Sequence, residues 1–174
     1  MRAVYGLLLL VCSLAQAEIN YDLTPISLQA QIEKQGAKPL LEALFADHTA
    51  MNIVLLSMDS GTPEWLALAK VFAEVAEGQN RAMIGMAVGE ALQWQPAAVL
   101  AWQQDLFPLP KLCGLQGLYE WRTMSRQLAL VALQRREAAV TLVDDEALRA
   151  KRSLCLMSLA QAKDQALKLL NNRP

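Results

Sequence analysis

Histidine is almost missing from this chain: of 174 residues, only His48 carries an imidazole. That scarcity excludes the multi-histidine ligand sets of catalytic zinc sites and leaves little for general acid–base work. Serine nucleophiles lack their usual setting, because no Gly-x-Ser-x-Gly turn occurs. Cysteine is scarce too, three in all with no Cys-x-x-Cys pair, which argues against a dithiol redox centre. Gly85 and Gly89 stand four apart inside an apolar segment, whereas a phosphate cradle needs glycines ahead of a helix. They suit close approach of a neighbouring helix instead. After residue 14 no stretch reaches about 18 apolar residues, the length a membrane-spanning helix needs.

What is present begins with the leader. Arg2 supplies a positive start, Val4 to Leu14 is an apolar run too short to span a bilayer, and Ala15-Gln16-Ala17 offers a small-x-small cleavage pattern. This layout predicts an export signal over residues 1–17, cut between Ala17 and Glu18, and a periplasmic or secreted product. Lipid attachment at Cys12 is the rival reading, but the bulky Val11 precedes it where a small residue is wanted. The mature chain of 157 residues, 18–174, suits one compact domain. It has 15 basic and 17 acidic residues, a balance of −2, too mild to imply nucleic acid or an anionic membrane. The charges are uneven: residues 18–110 hold 4 basic and 11 acidic, residues 111–174 hold 11 basic and 6 acidic. Either the halves pair internally or one face steers a charged partner. Two cysteines survive cleavage, Cys113 and Cys155, and in an oxidising compartment an isolated pair predicts a disulfide.

The pattern of the mature chain is helical. Alanine and leucine dominate, apolar residues recur at three and four, and period-two alternation is nearly absent. Thr24-Pro25 reads as an N-cap with a first-turn proline, and Gly36 ends that helix. Pro39 opens the next, with Leu40, Leu41, Leu44 and Phe45 on one face. A third begins near Thr49, with Ile53, Val54 and Leu56 to Met58 expected inward and Asp59-Ser60-Gly61 breaking it. Thr62-Pro63-Glu64-Trp65 starts a fourth, striped by Trp65, Leu68, Phe72 and Val75 and ended by Gly78. Asn80 to Trp94 places Ile84, Val88, Ala91 and Leu92 inward. Gln95-Pro96 then resets the chain into a short helix closed by Pro108 and Pro110.

The short helices, over about residues 24–107, have a layout similar to helical-repeat arrays of the HEAT type, with an irregular bundle as the alternative. Two long helices follow, over about 118–142 and 144–170, broken near Val143-Asp144-Asp145 with Asp144 or Asp145 as cap. Trp121, Met124, Leu128, Val131, Ala138 and Leu142 are expected on the seam of the first, interrupted by Arg135. Leu148, Cys155, Leu159, Ala162, Ala166 and Leu169 are expected on the seam of the second. In a simple hairpin Cys155 would lie ~16 Å from the turn and Cys113 ~45 Å away, too far to bond. A disulfide therefore requires Pro108 to Leu118 to double back, expected in extended form, with the long helix starting nearer Tyr119 than Cys113.

Candidate chemistry is thin. Asp47 neighbours His48 but points elsewhere on a helix and would orient it poorly. Glu42, Glu64, Glu74, Glu77 and Glu90 fall on what should be solvated helix faces, so an enzyme with a site of scattered acids is a minor reading. Met83 and Met86 with His48 form a second one, since soft thioethers suit Cu(I), though methionine is also a flexible core filler. The best recognition material is tryptophan. Trp65 and Trp121 fit internal stripes, while Trp94 and Trp102 flank the Pro96 corner and are the candidate partner contacts.

Ser60 to Leu66 gives a Ser-Gly-x-x-x-Trp-Leu opening, and Ala91 to Leu100 gives an Ala-Leu…Pro-x-x-Val-Leu helix pair; Cys113 and Cys155-Leu156 follow. In these features, over about half the mature chain, it resembles a group of small exported all-helical bacterial proteins. The resemblance implies an all-helical fold and transfers no active site. The sequence thus predicts an exported all-α protein that works through contact with another protein, in an immunity, adaptor or envelope-assembly role, with no cofactor.

Overall fold

The computed structural model describes residues 19–103, 105–118 and 126–171, and among them the fold is all-α. The predicted leader, with Ala17 and Glu18, lies outside the described residues, as do Trp121 and Met124. Helices α1 (Pro25–Gln35), α2 (Ala37–Ala46), α3 (His48–Met58), α4 (Pro63–Val75) and α5 (Gly78–Glu90) form the first layer of packing. Their boundaries follow from local chemistry. The Thr24 hydroxyl accepts from the Ser27 amide ahead of Pro25. Gly36, at φ 89°, closes α1 and leads directly into α2, so the second helix starts at Ala37, ahead of Pro39. Asp47 caps α3, its Oδ1 accepting from the amides of Thr49 and Ala50.

Two expectations in this region are corrected. Gly78 does not end α4, which stops at Val75 with Ala76 extended; Gly78 is the first residue of α5. Ile53 and Leu56 do not pack inward but are exposed; α3 buries Ala50, Met51, Val54 and Met58 instead. A narrow stripe at spacing three and four suffices there, because α2, α4 and α5 all meet α3 on one side.

After α5 the chain tightens into a 3-10 turn, Ala91–Gln93, and restarts as α6 (Pro96–Trp102). A short helix α7 (Leu109–Leu112) and a 3-10 turn at Leu115–Gly117 then carry Cys113. The hairpin consists of α8 (Arg126–Thr141) and α9 (Arg149–Asn171), the latter entered through the turn Glu146–Leu148, whose Asp145 cap accepts from the Ala147 amide. Contacts of Arg126 with Leu169, Glu137 with Lys163 and Arg152 with Val143 fix the two helices antiparallel.

Cys113 and Cys155 are at bonding distance, with α-carbons 5.4 Å apart across 42 residues of chain, and both are buried. The doubling back happens, but not in extended form as expected. The segment coils in short helical turns, which two glycines permit: a β-carbon at Gly114 would come 2.4 Å from the Pro110 oxygen, and one at Gly117 2.4 Å from the Leu112 oxygen. This places α7 against both α5 and α9. The expected start of the long helix near Tyr119 lies outside the described residues.

The hairpin seam is corrected as well. On α8 the buried residues are Ala129, Ala132, Leu133, Arg136 and Val140, while Leu128, Val131, Ala138 and Leu142 are exposed. The register is shifted by about one residue, so smaller side chains face inward and let the helices approach. On α9 the expected Leu148, Cys155, Leu159, Ala162 and Ala166 are buried, and Leu169 is not. The core is one cluster running from Leu28 on α1 to Ala166 on α9 through Phe72, Ile84, Leu92 and Leu133. Each fully buried leucine or phenylalanine contributes roughly 1.5–3 kcal/mol.

Candidate functional site

The corner between α5 and α6 is fixed from behind. Gly61, at φ 68°, lies so close that a β-carbon there would come within 2.9 Å of the Ala91 and Gln95 side chains. Trp94, at this corner, is 63% exposed. Leu142, at the end of α8, is 82% exposed. The two side chains line one cleft of about 420 Å³ together with Pro96, Ala97, Asp144 and Asp145. Asp145 is engaged as a cap, whereas Asp144 has no ion-pair partner among the described residues. The arrangement is an exposed apolar pair with an acidic rim.

Trp102, the other expected contact residue, is a structural side chain. Its indole N–H donates to the Leu66 carbonyl, and its ring stacks on Phe107 at a centroid distance of 5.8 Å. Half-buried against the core, it ties α6 to α4. The Pro96 corner therefore presents one exposed tryptophan where the sequence suggested two.

Behind this corner lies an ion pair that the sequence reading missed. Glu90, expected on a solvated face, is buried at the end of α5 and pairs with Arg136 of α8, whose side chain is 0% exposed. Arg136 Nη1 also donates to the Gly117 carbonyl at 2.9 Å, and Gln93 donates to Glu90 Oε2. One guanidinium thus joins α5, the Leu115–Gly117 turn and the hairpin. The signal was available: Ala129, Ala132, Leu133 and Val140 keep helical spacing, and Arg136 falls on that same line. The larger Leu128, Val131 and Leu142 drew the stripe onto the wrong face.

Met83 and Met86 line a second cleft, between α3 and α5, with Leu55, Leu56 and the carboxylates of Asp59 and Glu90 at its edge. His48 is not among its lining residues; it is the exposed first residue of α3. The histidine-plus-methionine set is therefore not brought together, and no cluster of three His, Cys, Asp or Glu side chains occurs among the described residues. Glu42 on α2, Glu64 and Glu74 near opposite ends of α4, and Glu77 just ahead of α5 are all exposed, and they form no cluster of three among the described residues.

Asp47 serves the fold more than any chemistry. Besides capping α3 it accepts the Tyr21 hydroxyl at 2.8 Å, tying the N-terminal segment down. The Ala50 amide, and after it the Tyr21 hydroxyl, hold the Asp47 carboxyl below its usual range, while the same bond raises the Tyr21 phenol. No helix among the described residues is long and apolar enough to cross a membrane; α2 and α3 would qualify only as a pair, and they are bent by 113° at Asp47. Set beside known protein families, curated proteins and solved structures, the chain matches none.

Proposed function

We propose that the protein is exported, with cleavage between Ala17 and Glu18, and acts in the periplasm or outside the cell by binding another protein on the Trp94–Leu142 face. The single supporting observation is that face itself: two large apolar side chains, 48 residues apart in sequence, exposed on either side of one cleft. Tryptophan is enriched where a few residues carry most of the binding energy. The rim of Asp144 and Asp145 favours a partner segment with an apolar anchor flanked by lysine or arginine. Immunity, adaptor and envelope-assembly roles share this requirement.

The test is crosslinking in the producing cell's envelope, comparing the wild type with Trp94→Ala and Leu142→Asp. Both residues are exposed, so the variants keep the wild-type circular dichroism. The expected result is one discrete adduct that each substitution removes. An adduct that survives both substitutions would place the contact elsewhere, and no adduct at all would argue against an interaction role.

A further inference from the structure

The acidic part of the chain holds one cation in an unusual place. Arg81, on the first turns of α5, reaches into a cleft of about 390 Å³ formed where α5 faces the Leu106–Gly117 segment. Lys111 and Gln116 line the same cleft, and Leu106, Phe107 and Leu112 supply an apolar wall. No carboxylate lines it among the described residues. Glu77 and Asp105, acids near it in sequence, are exposed and not among the lining residues, and Glu120 lies outside the described residues.

Arg81, Lys111 and Gln116 make no side-chain hydrogen bond or ion pair among the described residues. Among the described residues the Nε of Arg81, like that of Arg136, is buried and has no acceptor, so this atom is not the one a ligand would meet. Six other cations, Arg126, Arg136, Arg149, Lys151, Arg152 and Lys163, each hold a carbonyl or a carboxylate. The amides of Asn80 and Arg81 already donate to the Glu77 carbonyl, so the side chains supply the positive charge.

We infer that this cleft binds a small organic anion, an oxyacid head of carboxylate or phosphate on a short apolar body. The two Nη groups of the Arg81 guanidinium can receive two oxygens of such a head, and the Lys111 ammonium adds a second charge. The wall of Phe107, Leu106 and Leu112 takes the apolar body. The cleft has the size of ordinary small-ligand sites and shares no lining residue with the Trp94 face, so the two assignments stand or fall separately.

Calorimetric titration of the mature chain with octanoate, octyl phosphate and octanol tests it. Saturable binding of an octyl anion is expected, tighter than octanol and weakening as salt rises. Tighter octanoate points to a carboxylate ligand, tighter octyl phosphate to a phosphate. Arg81→Gln is expected to weaken the anion roughly tenfold, the usual scale for one charge-assisted hydrogen bond. Lys111→Gln, at an exposed position, should weaken it too and keeps the test valid if the Arg81 variant misfolds. Failure of both anions to bind, octanol binding as tightly as they do, or unchanged affinity in the folded variants would overturn the assignment.

Discussion

A buried charge is safe only while its partner is present, and Arg136 shows what that implies at the scale of one residue. Its guanidinium is wholly enclosed, held by Glu90 and by the Gly117 carbonyl. Glu90→Ala leaves that charge uncompensated, and a loss of about 3–5 kcal/mol is expected by urea unfolding. The double variant Glu90→Leu/Arg136→Leu should recover much of it, since no lone charge remains. An equal loss in both would mean that shape at this point matters more than charge. Asp47 gives a second test. Its folded-state acidity is enhanced by the Ala50 amide and the Tyr21 hydroxyl, so the carboxylate stabilises the fold above its unfolded pKa. That contribution is lost as pH falls through the lower folded value. Thermal melts should therefore show wild type above Asp47→Ala at neutral pH, with the gap closing in acid. A gap independent of pH would assign the effect to something other than the ionised cap.

Among the elements, the glycines of α5 set how closely the Leu109–Gly117 segment can approach. A β-carbon at Gly89 would meet the Gly117 carbonyl at 2.8 Å and the Leu112 carbonyl at 3.2 Å, both backbone atoms that cannot swing aside. Gly89→Ala should therefore push the segment away from α5, weaken the Arg136–Gly117 bond and cost about 1–3 kcal/mol or more in urea unfolding. At Gly85 the obstacle is the Phe107 ring at 2.7 Å, which stacks on Trp102. Gly85→Ala should accordingly change the tryptophan near-ultraviolet dichroism; an unchanged spectrum would show that the ring has room to move. These elements also mark how far the sequence was readable. Caps at Thr24 and Asp145 were legible because a hydroxyl or carboxylate ahead of a helix acts within three residues. The inward face of α8 was not, because its seam is built of small residues and an arginine while larger apolar side chains point outward. Which face turns inward depended on how near α9 could come, a tertiary matter that no window of the sequence contains. The pairing of Cys113 with Cys155 was legible from the count of cysteines left after the predicted leader, but the coiled path that permits it rests on Gly114 and Gly117 lying against the carbonyls of Pro110 and Leu112, a closeness that residue types alone do not state.

For the molecule as a whole, the uneven charge has a partial answer. Glu90–Arg136 joins the acidic and basic parts, whereas the other two ion pairs among the described residues, Arg149–Glu146 and Lys163–Glu137, lie within the basic part. Most of the asymmetry therefore stays on the surface, and proposals for both the Trp94 face and the Arg81 cleft draw on local fields within it. The disulfide joins the Leu109–Gly117 segment to α9 and closes a loop of 42 residues, worth at most about 4 kcal/mol in the chain-entropy view. A Cys113→Ala/Cys155→Ala variant should lose stability up to that amount, and an unchanged unfolding midpoint would make the bond incidental. The account rests on export followed by oxidation, and one intact-mass measurement on protein taken from the producing cells tests both together. The expected mass is that of residues 18–174 less two hydrogens, unchanged by alkylation until a reductant is added. A mass that still includes residues 1–17, with Cys113 and Cys155 alkylated directly, would contradict it.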